Sequence, residues 1–215
     1  MIADWNYSSS SKLSRRKIRI AAAIGAMVIG QPGPAVAQSN DSWELGAQVA
    51  SVRSSHFDAT EVGMGGRVAW LSGALVGVEA EINVYPDHFP SDRSSFSTRR
   101  LEGLFGATVG PRFARLRPFG RLRPGFVRFT GQQIACILIY PPPLSCVLAS
   151  GKTVFALDLG GGAEVFVTPK TFLRVDAGDR AIRYPGPSFD NRRARARDNF
   201  FSHDFRFTAG GGVRF

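Results

Sequence analysis

The sequence has no apolar run approaching the roughly 18 to 20 residues that a membrane-spanning helix needs, which excludes a multispanning helical protein. Its 215 residues include only two cysteines and three histidines. The histidines, His56, His88 and His203, show no ligand-pair spacing. No metal centre and no cofactor is therefore expected. Acidic residues are also scarce, since 17 Asp and Glu stand against 27 Lys and Arg for a formal net charge of +10. On its own that excess points to nucleic acid or an acidic surface. Where the charge lies along the chain changes this reading.

Lys12, Arg15, Arg16, Lys17 and Arg19 precede the short apolar run Ile20 to Ile29, which is followed by Pro32, Pro34 and the small-residue triplet Ala35-Val36-Ala37. This is the three-part layout of a secretory signal peptide over 1–37, cleaved before Gln38. Ser14-Arg15-Arg16 matches part of a twin-arginine signal, the alternative export route. Cleavage would remove five basic residues and Asp4, leaving 22 cationic against 16 acidic side chains and a net +6 for 38–215. An exported chain is in the wrong compartment for nucleic acid, so none is expected as a partner.

From Ser42 onward the periodicity is two, and Gly or Pro interrupts every window long enough for a helix. In 76–84, Val76, Val78, Ala80, Ile82 and Val84 alternate with Gly77, Glu79, Glu81 and Asn83. Segments 155–165 and 205–215 repeat the arrangement. Eight strands are predicted, over 42–52, 62–71, 74–85, 99–113, 117–129, 152–167, 171–180 and 203–215. Links two, four and six are short, whereas those at 53–61, 86–98, 130–151 and 181–202 are longer and polar. In an up-and-down meander alternate links share an end, so short turns and long loops segregate. This predicts an all-β, eight-stranded antiparallel up-and-down barrel of the transmembrane type. A bulge is expected near Pro124, which cannot donate to the ladder.

A soluble lipocalin-like barrel would turn the same apolar face inward. The polar face argues for the opposite orientation. It carries Glu44, Arg67, Glu79, Glu81, Glu102, Asp158, Glu164, Arg174, Asp176 and Arg206, joined by Arg121 and Arg123 and interspersed with Gly46, Gly77, Gly106, Gly160, Gly162 and Gly210. Small residues and opposite charges suit a narrow interior that packs on itself, with ions paired as an internal charge network. Such a network admits a second reading, a narrow ion or small-solute path. Glu79 and Glu81 as an acid–base pair is a weaker one.

These residues resemble the small outer-membrane barrel proteins of Gram-negative bacteria, of the OmpA-transmembrane-domain and OmpX kind, over the span from Trp43 to Phe215. The most specific part is the last strand, where Phe205, Phe207, Val213 and Phe215 alternate back from a terminal aromatic residue. It is similar to the family's assembly signal, the segment read by the barrel-insertion machinery. Gly110-Pro111-Arg112-Phe113 and Arg117-Pro118-Phe119 are further points of similarity. The resemblance implies a monomer in the cell outer membrane, in contact with outer-membrane lipid and lipopolysaccharide. It implies a non-enzymatic structural or surface-interaction role through extracellular loops, and no peptidoglycan-binding domain is expected to follow, since the sequence stops at Phe215. The channel and a lipid A-modifying barrel enzyme are the alternatives.

Cys136 and Cys146 flank Pro141-Pro142-Pro143 in the longest loop. In an oxidising compartment they are expected to form a disulfide. Arg192, Arg193, Arg195 and Arg197 in the fourth loop are candidates for the phosphates of lipopolysaccharide. Ser202-His203-Asp204 supplies the residue types of a hydrolase. Adjacent strand positions point to opposite faces, so these three form no triad among themselves.

Overall fold

The computed structural model describes residues 41–57, 59–73, 75–89, 97–132, 140–190 and 193–215. The proposed signal segment 1–37 lies outside them.

Alternating valine, leucine and phenylalanine on one side of each segment favour extended backbone, because branched and aromatic side chains fit a pleated surface. The strands are β1 (Ser42–Ser54), β2 (Ala59–Ser72), β3 (Val76–Phe89), β4 (Ser97–Val109), β5 (Leu116–Gln132), β6 (Thr153–Phe166), β7 (Thr171–Tyr184), β8 (Ser188–Asp190), β9 (Arg193–Arg197) and β10 (Phe200–Arg214). A short helix, α1 (Leu144–Ala149), precedes β6. Eight strands close into one antiparallel barrel in the order β1-β10-β7-β6-β5-β4-β3-β2, while β8 and β9 form a separate hairpin between β7 and β10.

Closure joins the last strand to the first. The backbone N–H of Phe215 donates to the Trp43 carbonyl at 2.9 Å, and that of Trp43 donates to the Phe215 carbonyl at 3.3 Å. The pairing registers also fix the stagger. Stepping across the ladders from Trp43 through Trp70, Val78, Ala107, Leu122, Leu159, Asp179 and Phe205 returns to β1 at Arg53, ten residues further along. Such a stagger accompanies strands tilted roughly 35 to 45° to the barrel axis.

Three differences from the sequence reading have physical causes. The strands run further toward the long-loop end than predicted, so the link expected over 53–61 shrinks to the residues between Ser54 and Ala59. There the outward residues Arg53 and Thr60 are exposed and polar, and the alternation that marks the strands is lost although the ladder continues. No bulge forms at Pro124. Pairing is interrupted between Leu104↔Gly125 and Ala107↔Leu122 with the register unchanged on both sides, so an outward-facing Pro124 removes donors without adding a residue. Finally, two of the links expected to be long and polar contain α1 and the β8–β9 hairpin.

Candidate functional site

The barrel has the opposite polarity to a soluble protein. Its exposed wall carries Trp43, Leu45, Val49, Met64, Val68, Ile82, Phe105, Leu122, Phe126, Leu159, Leu173, Val175, Phe205 and Phe207. The buried interior carries nine carboxylates and eight arginines among the described residues. This is an eight-stranded barrel with its apolar face outward.

On β1 the outward positions run Trp43, Leu45, Ala47, Val49 and Ser51 before reaching Arg53. Ten residues on a strand tilted by about 40° rise about 25 Å. That height matches the apolar band of an outer-membrane barrel. Trp43 and Trp70 mark its short-turn end, and Phe126, Phe155 and Phe205 lie near its long-loop end.

Every residue expected in the interior charge network is buried there: Glu44, Arg67, Glu79, Glu81, Glu102, Asp158, Glu164, Arg174, Asp176 and Arg206. Toward the short turns, Arg67 bonds Glu44 at 3.1 Å, Glu79 at 3.2 Å and Glu164 at 3.4 Å. Arg174 bonds Glu164 and Asp176, each at 2.9 Å, and its guanidinium lies 4.0 Å from the centre of the Phe119 ring. In the middle layer Arg123 bonds Glu79 at 2.9 Å, Glu81 at 2.5 Å and Asp158 at 2.7 Å, while Arg121 bonds Asp158 at 2.7 Å and also pairs with Asp176. Arg206 pairs with Glu81 and reaches Glu102 at 3.4 Å. All eight buried cations are arginine, whose planar fork satisfies several carboxylates at once as a lysine point charge does not.

Glycine makes room for these side chains. A Cβ on Gly160 would lie 2.4 Å from the Ala177 carbonyl oxygen, and one on Gly162 would lie 2.2 Å from that of Val175. Two inward glycines on β6 thus let β7 approach closely and leave the lumen to the arginines.

Five further members of the network went unnamed in the sequence reading. Glu61 and Arg100 form a buried pair, Arg180 pairs with Glu102 and bonds Asp204 at 2.9 Å, and Arg117 bonds Glu164 at 3.2 Å. Parity carried the signal, since Arg180 is four residues from Asp176 and Asp204 two from Arg206.

At the long-loop end the lumen turns apolar. Val127, Phe129, Val154, Ala156, Ile182 and Tyr184 pack with Leu144 and Leu148 of α1 and with Phe57. Leu144 and Leu148, one helical turn apart, press one face of α1 into the barrel mouth. A water-sized cavity lined by Gln48, Arg67, Arg174 and Asp176 lies inside the short-turn half.

The remaining expected sites are dispersed. Cys146 is buried in α1 and disulfide-bonded, while Cys136 lies outside the described residues. Arg193, Arg195 and Arg197 fall within β9, and Arg192 lies outside the described residues. Ser202 and Asp204 point inward, with 3.4 Å between Ser202 Oγ and Asp204 Oδ1, whereas His203 points outward and contacts Asp179 at 2.6 Å. His56 lies against Phe57, Tyr184 and Phe200. Phe205, Phe207, Val213 and Phe215 all lie on the outer face of the closing strand and its end.

Neither the protein families nor the curated proteins compared with the chain give a match. Solved structures do. Neisserial surface protein A is 15% identical, with 81% of this chain and 97% of that chain covered and a TM-score of 0.49. The outer membrane protein OprG from Pseudomonas aeruginosa is 13% identical, with coverages of 82% and 96% and a TM-score of 0.49. Ail, the attachment invasion locus protein of Yersinia pestis, solved with the heparin analogue sucrose octasulfate, is 14% identical, with coverages of 81% and 97% and a TM-score of 0.47.

Proposed function

We propose that the chain is a non-enzymatic barrel of the bacterial outer membrane, whose closed ionic lumen makes it a rigid mount for loops that contact the cell's surroundings. One observation carries this reading: an apolar wall about 25 Å tall surrounds an interior of paired charges. In water that wall would be a large aggregation-prone surface. In lipid it is the ordinary exterior of a barrel with no free strand edge. The even strand number puts the start of β1 and the end of β10 with the short turns, on the periplasmic side, and the four longer links outside. The terminal strand, with Phe205, Phe207, Val213 and Phe215 outward, is the segment offered to the barrel-insertion machinery.

The lumen argues against conduction. Eight strands leave an interior just wide enough for side chains to fill. Here the arginine–carboxylate layers fill it, and the apolar plug under α1 closes one end. Purified protein in planar bilayers is expected to give no single-channel steps at ±100 mV. Reproducible steps that change on Glu79→Gln or Arg174→Ala would replace the mount with a narrow channel. Expression is likewise expected to leave the mass spectrum of lipid A unchanged, and a new lipid A species would identify an enzyme.

A further inference from the structure

Part of the positive charge that the lumen does not neutralise lies on the outer wall near the long loops. Arg99 on β4, Arg128 on β5 and Arg183 on β7 all point outward and are exposed. Each occupies one of the last outward positions before the long loops. Arg99 lies opposite Thr130 and Arg128 opposite Leu101, so these two arginines are diagonal neighbours across the β4–β5 ladder. Arg128 also lies opposite Thr153, and Arg183 lies opposite Phe155, two residues along the same strand β6. Two inter-strand spacings and the two-residue offset, roughly 12 Å together, thus separate Arg128 from Arg183.

No carboxylate pairs with Arg99, Arg128 or Arg183 among the described residues. By contrast, the lumen arginines meet the lumen acids, and the outward His203 meets Asp179. Phe126 follows Arg128 toward the short-turn end, and its partner Phe155 lies directly opposite Arg183; both rings are exposed at the rim of the apolar band. Three guanidinium forks thus border an exposed pair of aromatic rings. The ligand this shape and charge fit is amphipathic, with anionic oxygens at the level of the arginines and acyl chains lying down the wall.

We infer that Arg99, Arg128 and Arg183 form a binding site for the phosphate-bearing headgroup of an anionic lipid in the leaflet on the loop side. The inference rests on the membrane placement proposed above. It is separate from the β9 arginines, which lie in the loop. Guanidinium forks engage phosphate oxygens by paired charge-assisted hydrogen bonds, and they do so most strongly at the edge of a low-dielectric layer.

The test uses the full chain expressed in a Gram-negative host and extracted from its outer membranes in mild detergent. Native mass spectrometry compares wild type with the triple variant Arg99→Gln/Arg128→Gln/Arg183→Gln, and an unheated-against-boiled gel is run on both. Wild type is expected to retain a phosphate-bearing lipid through detergent exchange. The triple variant should still shift on boiling but retain about tenfold less lipid or lower, because the charge-assisted contacts are gone. A lysine triple variant, keeping the charge without the fork, should fall between them. Equal lipid retention by wild type and the glutamine variant would overturn the site, as would a wild type that carries no lipid. Displacement of the lipid by millimolar inorganic phosphate would overturn the lipid assignment in favour of a general anion site. Absence of a boiling shift in wild type would instead overturn the membrane placement.

Discussion

Arg123 holds Glu79, Glu81 and Asp158 with one guanidinium inside a lumen that excludes bulk water. Removing it leaves three buried carboxylates with fewer partners, and breaking a buried pair in this way costs about 3–5 kcal/mol. Arg123→Met should therefore lower unfolding stability by that amount, measured by urea titration of the barrel refolded in vesicles. Adding Glu79→Gln and Glu81→Gln should recover part of it. A change under about 1 kcal/mol in the single variant would show that neighbouring arginines take over all three acids. The outer wall makes a second prediction at this scale. Val49→Arg, in the middle of the apolar band, should destabilise by about 2–4 kcal/mol, whereas Thr60→Arg, at the loop-end rim, should cost about 0–1 kcal/mol. Equal costs at the two depths would mean that both positions face water.

The closing strand and its neighbours set the next scale. Gly160→Val places side-chain atoms against the β7 backbone at the level of Ala177 and Gly178. The variant should yield substantially less folded barrel than wild type, scored as the fraction shifting on boiling. Phe215→Asp, at the exposed end of β10, should reduce insertion in cells more than refolding in detergent, since the residue is outward and makes only backbone bonds to Trp43. All eight barrel strands were legible in the sequence, because a two-sided wall between lipid and an ionic lumen produces the sharpest possible alternation. Their loop-end limits were not. Beyond the band, outward positions such as Arg53 and Thr60 are polar like the inward Ser54 and Glu61, and parity no longer separates the faces. Helix α1 was hidden for a different reason. Six residues following Pro141-Pro142-Pro143 have little helical signal of their own, and α1 is held by burial of Leu144 and Leu148 in the barrel mouth.

At the scale of the whole molecule the charges divide by location. The lumen holds nine acids and eight arginines, with Arg214 3.9 Å from Glu44 at its edge, so it is close to neutral. The excess cation therefore lies outside the lumen, on the wall, the turns and the loops, where it meets whatever surrounds the protein. The ten charges assigned to the interior from parity are all there, because inversion of the barrel moves every member of a face together. The apolar plug escaped that reasoning, since Val127, Phe129 and Tyr184 are inward residues of the apolar type otherwise found on the wall. Whether the apolar wall faces lipid is decided by isolating outer membranes from expressing cells and comparing unheated with boiled samples on a denaturing gel. Recovery is expected in the outer-membrane fraction with a band that migrates differently until boiled. Recovery as a soluble periplasmic protein with a single heat-independent band would contradict that placement.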